Sequence, residues 1–239
     1  MKRFDVIPAV DILDGKCVRL LQGKFDAETV YSSSPLEAAQ RWVDLGAKWM
    51  HLVDLNGAKT GFQENLEILR EIVESFKIKF EVSGGVRTIE TIEFLLACGA
   101  KRVIVGTRSV IDKQFVKSIA AKFGDKIAVG VDASGGRVAT DGWTNVTDIE
   151  AKTFAKDLQD MGVKRVIFTD TSRDGALKGP NFEAIEDLVN SIKIPVIASG
   201  GISSLDDIRK IKDIEGVEGC IIGKALYEGK FSLEDALKI

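Results

Sequence analysis

The sequence predicts a single domain over residues 1–239 that folds as a (β/α)8 TIM barrel, built from two repeated (βα)4 halves of about 1–120 and 121–239. Eight short β-branched segments alternate with amphipathic segments of helical periodicity along the whole chain. Motifs at the ends of these segments recur in the same order in the second half, as in a duplicated unit. No linker, low-complexity run or composition break divides the chain.

Each predicted strand is a short apolar run, and each predicted helix carries an apolar stripe. The strands are Val6–Val10, Trp49–Val53, Lys79–Val82, Val103–Val105, Ile127–Val131, Arg165–Phe168, Pro195–Ala198 and Gly219–Ile222. The helices are Pro35–Leu45, Asn65–Ser75, Ile89–Cys98, Gln114–Phe123, Ile149–Met161, Asn181–Ser191 and Ser204–Ile211. Ser34 and Thr88 are suited to cap the first and third helices. An open doubly wound sheet is the main alternative fold, but it usually has a glycine-rich turn after its first strand, where this chain has Asp11-Ile12-Leu13-Asp14-Gly15.

Composition excludes several classes of function. A formal net charge of −3 gives no basic surface for nucleic acid or for a membrane. No apolar run approaches the ~18 residues of a membrane-spanning helix, and the start Met1–Asp5 is too charged for a secretory signal. Cys17, Cys98 and Cys220 lack metal-binding or redox spacing and are expected to be buried thiols. We therefore expect a cytoplasmic monomer that binds a small molecule.

His51 is the only histidine, which excludes a metal site with several histidines. At the start of an apolar strand it is expected to be packed or hydrogen-bonded rather than to contact a ligand. Neither a metal nor a cofactor is expected. Acid–base chemistry then depends mainly on carboxylates.

Four strand ends of the first half recur roughly half the chain length later. The matched segments are Val10-Asp11 with Val131-Asp132, His51–Asp54 with Ile167–Asp170, Ser83–Val86 with Ser199–Ile202, and Val105-Gly106 with Ile222-Gly223. Because active sites of this fold lie at the carboxyl ends of the strands, every repeated motif falls at the predicted catalytic face. Equivalent motifs of the two halves are expected on opposite walls of the barrel.

The ends of the seventh and eighth predicted strands resemble a phosphate site. Gly200 and Gly201 allow the main chain to approach phosphate oxygens closely, and Ser203 can add a hydroxyl donor. Gly223 and Lys224 follow the eighth strand, and in many barrels these two loops bind phosphate together. A tight turn alone would explain one glycine pair, but both loops together favour an anion site.

The first half carries the same arrangement after its third and fourth strands. Gly84 and Gly85 are followed by Arg87, and Gly106 is followed by Thr107. An arginine here can bind a phosphate through two hydrogen bonds, although it can also be a solvated surface charge. Two phosphate sites on opposite walls predict a ligand with a phosphate at each end.

Asp11 and Asp132 end apolar strands in the two halves and are candidate catalytic residues. Burial raises the pKa of a carboxyl group and hydrogen-bond donors lower it, so two aspartates in unlike settings can act as acid and base. Which one is the acid is left open by these residues alone. Asp54 and Asp170 also recur, but they are expected to cap the loops that follow them.

Two long loops are expected to cover the catalytic face. The polar, glycine-rich segment Thr169–Asn181 after the sixth strand is typical of a lid. The segment Ser134–Trp143 after the fifth strand ends in a tryptophan whose flat apolar face can stack on an aromatic base or can simply pack.

Three groups of motifs identify a family resemblance. They are Ile7-Pro8-Ala9-Val10-Asp11-Ile12 with Gly15–Leu20, Val131-Asp132 with Gly135–Trp143, and Thr169-Asp170 with Arg173-Asp174-Gly175. Together they resemble the phosphoribosylformimino-5-aminoimidazole carboxamide ribotide isomerase family of histidine biosynthesis, over essentially the whole chain. The related cyclase subunit of imidazole glycerol phosphate synthase is expected to differ in its first strand and fifth loop.

The resemblance implies an Amadori rearrangement that converts an aminoaldose to an aminoketose. Carried over by position, it assigns Asp11 as the base and Asp132 as the acid, with Thr169 orienting the substrate and Asp174 contacting the reacting sugar. Arg19 is expected to reach the ligand when the first loop closes. The remaining implied binding residues are Arg137, Trp143 and Gly175.

Three alternatives stay open at the level of sequence. A relaxed-specificity isomerase that also accepts phosphoribosylanthranilate would use the same chemistry. A flavin-binding barrel would use the same strand-end phosphate site. A non-catalytic phosphosugar-binding barrel would leave the two aspartates without a role.

Overall fold

A computed structural model describes residues 4–239 as alternating strands and helices. The strands of this range are β1 (Asp5–Leu13), β2 (Lys16–Leu21), β3 (Lys24–Ser32), β4 (Trp49–Asp54), β5 (Lys79–Ser83), β6 (Arg102–Val105), β7 (Ile127–Ser134), β8 (Arg137–Thr140), β9 (Asn145–Glu150), β10 (Val166–Asp170), β11 (Val196–Ser199) and β12 (Val217–Ile222). The helices are α1 (Pro35–Asp44), α2 (Leu55–Thr60), α3 (Leu66–Ser75), α4 (Ile89–Ala97), α5 (Thr107–Ile111), α6 (Lys113–Phe123), α7 (Ala151–Asp160), α8 (Phe182–Ser191), α9 (Leu205–Asp213), α10 (Lys224–Tyr227) and α11 (Leu233–Ala236).

Eight of the strands close into a parallel ring. Around the ring the order is β1, β4, β5, β6, β7, β10, β11 and β12, and β12 pairs with β1 again. Helices lie between successive ring strands, so the predicted (β/α)8 fold is confirmed. Strands β1 and β7 lie four positions apart in either direction. Their ends therefore face each other across the mouth of the barrel.

Two antiparallel additions at the mouth were not predicted. β1 does not end near Val10 but continues to Leu13 and turns back into β2, which pairs with β3. The turn consists of Asp14 and Gly15, both with positive φ (49° and 73°), as a two-residue hairpin requires. In the second half, β8 and β9 extend β7 in the same manner. Both additions bring chain segments over the catalytic face.

Side chains point alternately outward and inward along each strand, so the apolar side chains form two layers, one under the helices and one inside the barrel. Met50 and Leu52 of β4 point outward and pack, fully buried, under the helices. Trp49 points into the barrel and belongs to a smaller interior cluster. That cluster also contains Ile7, Ala9, Ile104, Ala128, Ile167, Ile197 and Ile221. The interior is thus filled below the mouth, which confines any ligand to the carboxyl ends of the strands.

The helices begin at the expected caps. The Ser34 hydroxyl accepts from the N–H of Glu37 at 3.2 Å, and Pro35 opens α1. The Thr88 hydroxyl accepts from the N–H of Thr91 at the same distance. Within residues 4–239 the longest helix has 11 residues. None of the described helices has the length and hydropathy to span a membrane.

We expect Leu52→Ala to lower the free energy of unfolding by about 2 to 5 kcal/mol, since it leaves a cavity between the barrel and the helices. Urea unfolding followed by circular dichroism measures this change. Leu21→Ala, at a leucine that is 39% exposed, is the matched control and should change stability by less than about 1 kcal/mol. Equal losses in the two variants would contradict the described core.

Candidate active site

A cavity of about 200 Å³ opens at the carboxyl ends of the ring strands. Both halves line it, with Asp11 and Ser83 on one side and Asp132 and Thr169 on the other. The cavity therefore contains the two candidate aspartates together, on opposite walls of the ring.

Asp11 lies in a buried ion pair. Arg19, on β2, donates to Asp11 Oδ2 from Nη1 at 2.7 Å, and both residues are 7% exposed. Arg19 Nη2 lies 3.5 Å from Asp174 Oδ1, so one guanidinium joins the first strand to the loop after β10. Burial acts to lower the pKa of Arg19, but the charges of Asp11 and Asp174 outweigh it and raise that pKa above its ordinary value. The hairpin thus brings a permanent positive charge to the mouth.

Asp132 has a different environment. Burial raises its pKa, and hydrogen bonds from Trp143 and Thr169 offset only part of that effect. This carboxyl group keeps its proton to a higher pH than an exposed aspartate does.

Asp174 is the third carboxyl group at the cavity. Burial raises its pKa, Arg19 acts to lower it, and the nearby charges of Asp11 and Asp132 raise it further. Because Asp11 and Asp132 both act on Asp174, the protonation states of the three carboxyl groups are coupled.

Asp54 and Asp170 cap their loops, as the sequence predicts. Asp54 Oδ1 accepts from the N–H of Gly57 at 3.0 Å and from Asn65 Nδ2 at 2.7 Å. Asp170 Oδ2 accepts from Asn181 Nδ2 at 2.7 Å. These contacts hold the loops that follow β4 and β10 and use the two carboxylates for structure.

The glycine pairs of the two halves have the same backbone geometry. Gly84 and Gly200 have φ values of 93° and 89°, a region that other residues rarely adopt. A methyl group on Gly84 would also overlap the carbonyl oxygen of Asp54. The glycines after β6 and β12 match as well, since Gly106 has φ −101° and ψ −114° and Gly223 has φ −106° and ψ −101°. The sequence repeat is therefore a repeat of backbone conformation at the mouth.

The predicted phosphate loop of the first half lines the main cavity. Gly84, Gly85, Arg87, Gly106 and Thr107 all contribute to its wall. The hydroxyl of Thr107 accepts from the N–H of Asp141 at 2.8 Å, so this side chain also holds the turn between β8 and β9. The loop is open to the cavity in the form that the structure describes.

The predicted phosphate loop of the second half lines a separate, smaller space of about 20 Å³. Gly200, Gly201, Gly223 and Lys224 form part of its wall, and the guanidinium of Arg19 lies directly against Gly223. This arginine separates the small space from Asp11. An anion entering this loop would meet the Arg19 side chain.

Two predicted binding residues are differently placed. The N–H and hydroxyl of Ser203 both donate to Asp207, at 2.9 and 3.0 Å, because Asp207 and Ser204 form a capping box at the start of α9. Arg137 is exposed on β8, where it donates to the carbonyl oxygen of Asp148 at 2.7 Å and does not line the cavity. In this conformation the Ser203 hydroxyl is occupied by Asp207, and Arg137 lies outside the cavity wall.

Trp143 has φ 70°, an unusual value for a bulky residue. Its indole ring lies directly against Gly23, in the turn between β2 and β3, and it also bonds Asp132. Backbone strain of this kind is maintained when the surroundings determine the conformation. The tryptophan thus connects the fifth loop to the hairpin over the cavity.

The loop after β10 is docked on the same hairpin. The N–H of Gln22 donates to the carbonyl oxygen of Asp174 at 3.1 Å, and its side chain donates to the carbonyl oxygen of Ser172 at 2.7 Å. Gly175 packs closely on the carbonyl oxygen of Leu20, which leaves no room for a side chain. These contacts place Asp174 beside Arg19.

The sequence predictions missed several residues of the cavity wall. They are Phe25, His51, Ser83 and Ser199. Ser83 and Ser199 open the repeated motifs, so the repeat itself could have identified them. Phe25 depends on the β2–β3 hairpin, whose only local signal is the pair Gln22-Gly23 between strand-like residues.

Comparison with known proteins gives consistent matches over the chain. A family model described as "Histidine biosynthesis protein" matches residues 5–232. A protein of Dehalococcoides mccartyi is 50% identical over 235 residues, which is 98% of this chain and 99% of that protein. One of Thermodesulfovibrio yellowstonii is 52% identical, covering 99% and 97%, and one of Thermoanaerobacter pseudethanolicus is 47% identical, covering 98% and 98%. Each of the three is named 1-(5-phosphoribosyl)-5-((5-phosphoribosylamino)methylideneamino) imidazole-4-carboxamide isomerase.

We expect the carboxyl carbons of Asp132 and Asp174 to titrate above the ordinary aspartate value of about 4, because both groups are buried. NMR of protein labelled with ¹³C-aspartate measures this, and the Asp132→Asn and Asp174→Asn variants assign the two signals. Asp235, whose pKa the hydrogen bonds from Lys238 and Ser232 lower, is an internal comparison. Titration of Asp132 at a lower pH than Asp235 would contradict the described burial of Asp132.

Proposed function

The chain belongs to the histidine biosynthesis protein family, and from this premise we propose that it is an aldose–ketose isomerase that needs no cofactor. The substrate is the phosphoribosylformimino aminoimidazole carboxamide ribonucleotide, whose second ribosyl group is opened to the ribulosyl form. The main support for this function is the position of Asp11 and Asp132 on opposite walls of one cavity. The two halves supply one carboxyl group each to the same ligand.

The phosphate loops fit the two ends of such a ligand. The first-half loop around Gly84 and Gly106 binds one phosphate, and the second-half loop around Gly200 and Gly223 binds the other. Arg87 adds charge on the first side and Lys224 on the second. Because the net charge of the chain is −3, these local donors rather than the overall field attract the anion.

Asp132 is the general acid in this proposal. Its raised pKa keeps it protonated where an exposed aspartate is ionised, so it can donate a proton to the furanose ring oxygen. Ring opening then gives a Schiff base. Thr169, which bonds Asp132, orients the carboxyl group toward the sugar.

Asp11 is the general base. Its carboxylate is paired with Arg19 at 2.7 Å and faces the cavity from the opposite wall, where it removes the proton from C2 of the opened sugar. Asp174 contacts the reacting sugar from the loop after β10. Arg19, which lies between both carboxylates and Gly223, reaches the second phosphate.

Trp143 and the loops over the mouth close the site. The indole ring stacks on the imidazole of the ligand once the ligand displaces it from Gly23. The contacts of Gln22 with Ser172 and Asp174 hold the two covering segments together. A covered cavity excludes water from the Schiff base, which would otherwise hydrolyse.

We also propose that the enzyme acts as a monomer in the cytoplasm. All the site residues come from one chain, so a monomer is sufficient for activity. The three cysteines are free thiols, which fits a reducing compartment such as the cytoplasm.

Asp11→Asn and Asp132→Asn are each expected to lower kcat by about 100- to 10,000-fold, the usual contribution of a positioned acid or base. Turnover of the aminoimidazole substrate is followed by ultraviolet absorbance. Asp125→Asn, at an exposed residue just before β7 and so at the far end of the barrel, is the matched control and should be unchanged. Rates within a few-fold of wild type in both active-site variants would exclude the proposed chemistry.

The rate should fall as the pH rises through the pKa of Asp132, because the acid must carry its proton and burial moves that pKa upward. We expect this descending limb in the wild type and in Asp174→Asn, and its loss in the residual activity of Asp132→Asn. The measurement is the pH profile of kcat for the three proteins. Loss of the limb in Asp174→Asn alone would assign the acid to Asp174 instead.

A further inference from the structure

Three polar residues form a row across neighbouring strands inside the barrel. His51 of β4 is paired in register with Glu81 of β5, and Glu81 is paired with Arg102 of β6. His51 Nδ1 lies 2.8 Å from Glu81 Oε1, and Arg102 Nη1 donates to Glu81 Oε2 at 2.6 Å. Glu81 is fully buried and Arg102 is 5% exposed. The row begins at the cavity, which His51 lines, and runs into the barrel interior.

The second half of the barrel has no such row. By the sequence repeat, Ile167 corresponds to His51, Ile197 to Glu81 and Gly219 to Arg102. Ile167 and Ile197 belong to the apolar interior cluster. The same barrel thus shows that apolar residues fill these positions well, and replacing a buried ion pair with apolar residues is often neutral or stabilising. Packing alone does not explain why the first half has charges here.

The negative charge of Glu81 is neutralised on the side of the row that lies away from the cavity. Arg102 neutralises Glu81, and Arg102 Nη2 lies 3.8 Å from Glu218, which is itself paired with Arg165. The Arg102 guanidinium also lies 4.6 Å from the centre of the Trp49 ring. Burial lowers the pKa of Arg102, and the charge of Glu81 opposes that effect. Both oxygens of Glu81 therefore have partners, and its position is fixed from two sides.

A carboxylate beside Nδ1 determines which histidine nitrogen carries the proton and which one can accept a hydrogen bond. Glu81 can only accept a hydrogen bond, so the proton of His51 lies on Nδ1. Nε2 is then the nitrogen on the side of Ser83, whose hydroxyl is 3.4 Å away in the cavity wall. The other charged groups that line the cavity are the carboxyl groups of Asp11, Asp132 and Asp174 and the guanidinium groups of Arg19, Arg87 and Arg108.

We propose that Glu81 and Arg102 are positioning residues that hold the Nδ1 proton of His51 and so present Nε2 to the ligand as a hydrogen-bond acceptor. This proposal rests on the proposed isomerase function for the identity of the ligand. Nε2 accepts from a hydroxyl or N–H group in the middle of the ligand, between the two phosphates. His51 joins the binding residues of the site, whereas Glu81 and Arg102 act through it.

The single histidine makes a direct test possible. Protein labelled with ¹⁵N-histidine and carrying no affinity tag gives imidazole signals from His51 alone. Near neutral pH we expect an Nδ1 signal of the protonated type and an Nε2 signal of the unprotonated type. The reverse assignment in the wild type would overturn the proposal, and this readout does not depend on turnover.

The double variant Glu81→Ile with Arg102→Met removes the row and copies the isoleucine of the second half. We expect the proton to move to Nε2, the nitrogen that carries it in a free imidazole, and kcat/KM to fall about tenfold, the scale of one lost hydrogen bond. Glu218→Gln is the matched control, since it also removes a carboxylate beside Arg102 but has no contact with His51. A folded double variant with wild-type tautomer and wild-type kcat/KM would contradict the proposal.

His51→Asn tests the same idea without disturbing the ion pair. The asparagine amide can still donate to Glu81, but no group remains at the position of Nε2. We expect a fall in kcat/KM with unchanged thermal unfolding, and unchanged kcat/KM would contradict the proposal even if the double variant did not fold. If the wild type had the expected tautomer but no isomerase activity, the proposed function would fail while the arrangement of the row stood.

Discussion

The closure of eight parallel strands in one register determines the rest of this molecule. Pairing of β1 with β12 completes a ring in which β1 and β7 are four strands apart both ways. Side chains alternate along each strand, so Asp11 and Asp132 both point inward at the mouth. Their surroundings then differ, since one carboxylate pairs with Arg19 and the other is buried beside Trp143 and Thr169. A change of one residue in the register would turn either group toward the helices.

The two halves share a backbone but have diverged in chemistry. The glycines of the two predicted phosphate loops repeat in conformation as well as in sequence. The first half adds Arg87 and a buried polar row that begins at His51, whereas the second half has Ser203 and isoleucines at the related positions. A substrate with two similar ends and different groups between them suits such a site. The two ends of such a substrate would contact equivalent loops, and its centre would contact walls that differ between the two halves.

Most of the fold and of the catalytic face follows from local patterns in the sequence. The apolar period, the caps and the half-repeat are local or pairwise signals, and they placed every ring strand and both aspartates. The contact of Ser203 with a phosphate stays a prediction, since Asp207, four residues later, accepts from both of its donors in this conformation. The contact of Arg137 with the ligand also stays a prediction, since the β8–β9 hairpin turns its side chain toward Asp148 in this conformation. The contact of His51 with Glu81 depends on the register between strands, which no local pattern encodes.

In the proposed function, one ligand bridges the two predicted phosphate loops, with Asp11 and Asp132 on either side of its sugar. A crystal structure of the Asp132→Asn protein with the bisphosphate substrate would show this arrangement. We expect one phosphate at the Gly84–Gly106 loops, the other at the Gly200–Gly223 loops with Arg19 moved toward it, and the opening sugar between residues 11 and 132. A substrate bound with one phosphate in solvent, or with its sugar out of reach of either residue, would exclude the proposed binding mode.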